Sequence, residues 1–141
     1  MNYLINSLQT AKTKFLFVCF LLIAASNYAQ EAAPANAGVL TFDTEEIDYG
    51  TIEQDANGER TFKFKNTGKA PIVITNVQTS CGCTVPEYAK EPVMPGATSE
   101  IKVKYATNRL GVFKKTITVV SNASEPSKIL RIKGEVLQKP Q

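Results

Sequence analysis

Histidine and tryptophan are absent from this 141-residue chain, and cysteine occurs only three times. Without an imidazole, hydrolases built on Ser–His or Cys–His pairs are excluded. Without Trp the core cannot carry the Trp-on-disulfide arrangement of antibody domains. No apolar run approaches the about 20 residues that cross a bilayer. Neither sign of charge dominates, with 16 basic and 13 acidic residues. No stretch offers a convincing amphipathic helix, and no internal repeat is visible.

What is present begins with an address. Lys12 and Lys14 form a short positive region, Phe15 to Ala25 is a continuous apolar run, and Ser26-Asn27-Tyr28-Ala29-Gln30 supplies small residues for cleavage. This predicts a signal peptide over residues 1–29, with Ala29 as its last residue and cutting after Ser26 as the rival. The run is too short for a comfortable membrane anchor. Leu16-Phe17-Val18-Cys19 is a poor lipidation box, because β-branched Val18 stands where a small residue is wanted and Cys19 sits inside the apolar run. Removing the signal takes Cys19, Lys12 and Lys14 with it and leaves one more basic than acidic residue. A near-neutral domain is not an electrostatic nucleic-acid binder. Residues 30–38 read as a flexible small-residue linker, 39–137 as one domain with a modest core, and 138–141 as a polar tail.

The body alternates with period two. In Thr61-Phe62-Lys63-Phe64-Lys65-Asn66 the two Phe share one face and the two Lys the other, and Glu100 to Tyr105 repeats the pattern. Leu130, Ile132 and Val136 share a face with Gly134. Ile72-Val73-Ile74 and Ile117 to Val120 are more apolar and are expected to be central strands. A bulge near Lys114-Lys115 is expected to reconcile Phe113 with Ile117 and Val119. Asn57-Gly58 is a hairpin signal, and Pro95-Gly96 suits the centre of a type II turn. Further turns are expected at Asn66 to Gly68, Asn108 to Gly111 and Asn122 to Pro126. Together these predict an all-β fold, an immunoglobulin-like antiparallel sandwich of about seven strands.

The residue pattern most open to chemistry is Ser80-Cys81-Gly82-Cys83-Thr84, at a predicted turn. Cys81 and Cys83 can close on each other if Gly82 turns the chain. So small a ring removes little chain entropy and is a poor staple. The same pair can exchange with a partner thiol or hold Cu(I) or half of a zinc site, with Met94 as the other soft ligand of the mature domain. The plainest reading is a packed, oxidised pair. The acidic first third, with Asp43, Glu45, Glu46 and Asp48, matches no Ca²⁺ loop and reads as a solvated face. Lys63, Lys65, Lys102, Lys104, Lys114, Lys115, Arg131 and Lys133 fall in strands and read as outward, edge-protecting lysines, with a basic sheet face for an anionic partner as the alternative.

The run Phe62 to Gly68, then Pro71-Ile72, Val77 and Ser80 to Thr84, resembles the secreted bacterial domain-of-unknown-function family 1573. In the second half Pro95-Gly96, Val103 to Tyr105, Gly111, Lys115 to Ile117, Ser121-Asn122 and Gly134 carry the same resemblance. It covers the whole mature domain and implies an exported seven-stranded sandwich related to abnormal-spindle and hydin-type domains, with no established reaction. Only Cys81 and Cys83 carry over as candidate functional residues. The expectation is an exported, secreted or periplasmic, non-catalytic binding or scaffold module without a cofactor. Its partner would be an unidentified protein or cell-envelope component, with no stable membrane insertion once the signal is gone. The alternative is a periplasmic thiol-redox or Cu(I)-binding protein centred on Cys81 and Cys83.

Overall fold

The computed structural model describes residues 36–140. The segment expected to be a signal peptide, Cys19 and most of the segment expected to be a linker lie outside the described residues. Eight strands follow in order: β1 (Leu40–Phe42), β2 (Glu46–Glu53), β3 (Glu59–Asn66), β4 (Ile74–Thr79), β5 (Thr84–Tyr88), β6 (Thr98–Tyr105), β7 (Gly111–Ser121) and β8 (Ser127–Leu137). They form two four-stranded sheets, ordered β1-β3-β6-β5 and β2-β8-β7-β4. The fold class is the expected all-β sandwich, with eight strands where about seven were expected.

The alternation of apolar side chains builds the core. Phe62 and Phe64 of β3 and Ile101 and Val103 of β6 lie in the first sheet; Ile117 and Val119 of β7 and Leu130 and Ile132 of β8 lie in the second. All are at most 1% exposed. At one end Tyr105 stacks on Phe113 with ring centroids 3.8 Å apart, and Tyr49 meets Phe113 edge-on at 5.3 Å. Gly134 leaves room for these rings: a Cβ there would sit 2.8 Å from Tyr49 Cβ and 2.9 Å from Phe113 Cζ. Asn66, 0% exposed, is fully engaged: its Oδ1 accepts from Val39 and Gly68 N–H, and its Nδ2 donates to the Ala70 and Val93 carbonyls. Ala97 N–H closes on Met94 O at 3.0 Å with Gly96 at φ +80°, the turn expected at Pro95-Gly96.

Several expectations are corrected. The β2–β8 pair is parallel, while every other strand pair is antiparallel. Ile72 and Ile74 are buried, but not in a central strand: Ile72 forms an isolated bridge to Val93, and Ile74 opens β4, which is an edge. Both belong to the buried core cluster. No register shift occurs at Lys114-Lys115 in the β7–β8 pairing; Phe113 is in phase with Ile117, and Lys115 stays half-buried on the inward side. Asn57-Gly58 makes no hairpin, because it joins β2 of one sheet to β3 of the other, and the positive φ falls on Asp55. Ala37 O and Gly38 O accept from Lys69 N–H and Ser124 N–H.

Candidate functional site at the β4 and β5 edges

Residues 80–83 carry the chain from β4, an edge of the second sheet, to β5, an edge of the first. Ser80 stays in the ladder: its N–H donates to Thr116 O at 3.0 Å, and its Oγ accepts from Thr116 N–H at 3.2 Å. The chain then bends, and Cys81 and Cys83 are joined as a disulfide with Cα atoms 5.2 Å apart. Two residue steps of extended chain would separate them by roughly 7 Å, so the bend at Gly82 brings them within bridging distance. Gly82 is exposed, and a Cβ there would meet nothing within 4 Å. Cys81 is half-buried, whereas Cys83 is 5% exposed and belongs to the core.

The corner is braced independently of the sulfurs. Thr79 Oγ1 lies 2.8 Å from Cys81 O and 3.1 Å from Thr84 O, and Cys83 O accepts from Ala106 N–H at 2.8 Å. Chain-entropy arithmetic gives a three-residue ring about 1.5 kcal/mol, half of what a fifteen-residue loop yields. Thr84 is buried, and its Oγ1 has no hydrogen-bond partner.

Among the described residues the two sheets have four unpaired edges, and three are guarded. β1 is three residues long. β2 carries Glu46 and Asp48 and a register shift between Asp48 and Thr51, with Gly50 at φ +61°. On β5 the guard is Pro86. The Ala106 N–H to Cys83 O bond makes Cys83–Ala106 a hydrogen-bonded pair, so alternation turns the backbone of Val85 and Glu87 toward β6 and that of Thr84, Pro86 and Tyr88 away. Pro86 thus removes the central N–H of the outward row. β4 has neither a charged residue nor a proline. It bulges between Ile74 and Asn76 and is regular from Asn76 to Thr79. Because Ser80 bonds to Thr116, Gln78 and Asn76 face β7, while the N–H and C=O groups of Val77 and Thr79 point outward. Sheet edges are normally blunted by charge, proline, bulges or shortness, and this stretch of β4 is not.

Charge is spent elsewhere. Lys133 contacts Glu46 at 2.6 Å and Asp48 at 3.7 Å, and Lys128 contacts Glu45 at 2.8 Å and Glu125 at 3.2 Å. The Lys133 hydrogen bond holds the Glu46 carboxyl below its ordinary range, and in return lifts the Lys133 ammonium. The hydrogen bonds from Glu45 and then Glu125 lift Lys128. On the first sheet Lys63 stands opposite Glu100, Lys104 opposite Glu59 and Lys102 opposite Glu87. Carboxylates therefore interleave the lysines, and no continuous basic face forms there. Among the described residues no group of three or more His, Cys, Asp or Glu side chains gathers to hold a metal, and no helix is long and apolar enough to cross a membrane. Two surface depressions of ≈ 430 and ≈ 280 Å³ lie along β3, β5 and β6, and neither is lined by Cys81 or Cys83.

Sequence reasoning singled out Ser80, Cys81, Gly82, Cys83 and Thr84, and the structure brings them together at one corner. It missed Pro86 and Lys115. The proline was legible as an edge signal only once β5 was known to be an edge. Lys115 follows in phase from Phe113 and Ile117, had no bulge been inserted.

No curated protein matches this sequence. Among solved structures, a protein of unknown function from Porphyromonas gingivalis W83 is similar at TM-score 0.63 and 16% identity. The match covers 77% of this chain and 51% of that one, so this chain spans about half the length of that protein. The ASH/PapD-like domain 7 of human CEP192 is similar at TM-score 0.64 and 9% identity, over 82% of this chain and 97% of that one. The Pseudomonas aeruginosa CupB2 chaperone follows at TM-score 0.51 and 10% identity, over 68% of this chain and 55% of that one. At such identities the likeness is one of fold. The sandwich, its Cys-Gly-Cys corner and the match of residues 40–136 to one family model agree: the chain belongs to the family described as protein of unknown function, DUF1573.

Proposed function

We propose that this chain is an exported, non-catalytic module that holds a protein partner by adding an extended segment of it to the free edge of β4. The observation that carries this reading is the contrast among the four edges: β1 is only three residues long, β2 and β5 carry charge or proline, and the six-residue β4 offers outward backbone groups at Val77 and Thr79 with neither. Strand addition draws affinity from main-chain hydrogen bonds and specificity from alternate side chains. Asn76, Gln78, Thr116 and Thr118, on the outer face beside the edge, are all uncharged. Thr79, Pro86 and Tyr88 are half-buried where the two edges approach. The matching partner segment is uncharged, with apolar residues at alternate positions facing the sandwich. The PapD-like fold supports a protein-binding role, and the disulfide fits an oxidising compartment.

The test is site-specific photo-crosslinking in the native host, with the probe at exposed Gln78 or, as control, at Thr61 on the other sheet. The expected result is one partner segment linked at Gln78, absent at Thr61, and lost in a folded Val77→Pro variant, which removes an outward N–H. The Cys81→Ser/Cys83→Ser double variant should keep the partner. Equal crosslinking at both probes, or a partner indifferent to Val77→Pro, would overturn the reading.

A further inference from the structure

We propose that the Cys81–Cys83 disulfide is a thiol–disulfide exchange site that takes a small-molecule or protein thiol as co-substrate and is entered at Cys81 Sγ. This goes beyond the binding role and does not depend on it. The two cysteines differ in exposure: Cys81 is half-buried against the core and followed by exposed Gly82, whereas Cys83 is 5% exposed. Opening it leaves the corner in place, because Thr79 Oγ1, the two Ser80–Thr116 bonds and the Ala106 N–H bond to Cys83 O hold the backbone without it. A disulfide that closes a very short loop at the surface is of the labile kind.

The β4–β7 ladder also supplies a cation. Thr79 pairs with Ile117 and Ser80 bonds to Thr116, and Lys115 is the next β7 residue beyond that last bond, where the chain leaves the ladder at Cys81. Lys115 lies in phase with buried Phe113 and Ile117 and is itself half-buried. A lysine at this position draws in an anionic thiolate and favours the thiolate that leaves.

The step balances as follows. A thiolate RS⁻ attacks Cys81 Sγ; the Cys81–Cys83 bond breaks; a Cys81–S–SR mixed disulfide forms; Cys83 departs as a thiolate and takes a proton from solvent. A second thiolate then attacks the mixed disulfide and releases RSSR, and the Cys81 thiolate is protonated. Two thiols lose two electrons and the protein pair gains them. In reverse, a disulfide oxidant closes the ring.

The experiment treats the folded protein with reduced glutathione without denaturant, quenches with acid and reads intact mass and peptide maps. The expected result is reduction at a rate proportional to glutathione concentration, with the β-sheet circular dichroism unchanged and the transient adduct mapped to Cys81. With oxidised glutathione, Cys83→Ser should form its adduct at least about tenfold faster than Cys81→Ser, following exposure of the thiol. Lys115→Gln should slow wild-type reduction several-fold and flatten its salt dependence without moving the urea midpoint. A reduction rate independent of glutathione and equal to the unfolding rate would overturn the proposal, as would an adduct found first on Cys83. If either serine variant fails to fold, the wild-type adduct map decides the entry sulfur. None of these readouts involves β4, so a failed crosslink at Gln78 leaves them intact.

Discussion

Asn66 reaches Val93 from inside the sandwich: its Nδ2 donates to the Val93 carbonyl at 2.9 Å, tying the end of β3 to the segment that precedes the Pro95-Gly96 turn. The same side chain holds Val39, Gly68 and Ala70. Replacing it with Ala strands several buried backbone groups at once. Asn66→Ala should cost about 3–5 kcal/mol, measured as a lowered midpoint in urea unfolding. A cost below about 1 kcal/mol would mean that water takes over these bonds.

Gly134 is where shape, not backbone freedom, demands glycine. An added Cβ meets Tyr49 Cβ at 2.8 Å, Phe113 Cζ at 2.9 Å and Gly50 O at 3.0 Å. Gly134→Ala should destabilise by about 2 kcal/mol through overpacking, and Tyr49→Phe should not relieve it, since the clash is with Cβ. Double-mutant denaturation checks both statements.

Thr84 buries a hydroxyl with no partner. Thr84→Val removes the desolvated oxygen at nearly constant shape and should stabilise by about 1 kcal/mol. Loss of stability instead would indicate that an ordered water satisfies the oxygen.

Tyr49 supplies a pH dependence. Its hydroxyl donates to Gly58 O at 2.8 Å, and burial pushes its pKa from 10.0 up to about 12, with Arg60, 4.2 Å above the ring, pulling the other way. The folded state holds the proton more tightly than the unfolded chain. Its contribution is therefore fully present below the unfolded pKa, declines as pH rises above it, and is lost as pH passes the folded value. Urea midpoints should fall between pH 10 and about 12, and Tyr49→Phe should flatten that decline while losing about 1 kcal/mol at neutral pH with the hydrogen bond.

Pro86 guards the β5 edge by withholding one outward N–H. Pro86→Thr restores the donor in a strand-favouring residue. The variant should fold with a near-unchanged midpoint and self-associate more strongly in sedimentation velocity. Sedimentation indistinguishable from that of the wild type would show that β5 needs no guard.

Much of this architecture is legible in the sequence because alternation is a local signal. Phe62 with Phe64 and Ile101 with Val103 fall on the dry face as their spacing predicts. Partner choice is not local. Nothing in Glu46 to Glu53 says that the strand will lie parallel to β8, and Asn57-Gly58 tolerates a tight turn without saying which strands it joins. The Ile72 to Ile74 run misleads for a related reason: three apolar residues read alike in a central strand and in a segment that bridges to Val93 and opens an edge strand. For the corner, spacing names Cys81 and Cys83, but only the β4–β7 register shows that Lys115 follows the Thr116 bonded to Ser80, where the chain bends.

The parallel pairing of β2 with β8 has a consequence for assembly. Every strand of the first sheet lies within residues 40–105, so that sheet can zip up while the rest of the chain is still emerging. The second sheet cannot, because β8 is inserted between β2 and β7 and is the last strand made. Half of the hydrophobic interior therefore waits, uncovered, until β8 docks between β2 and β7.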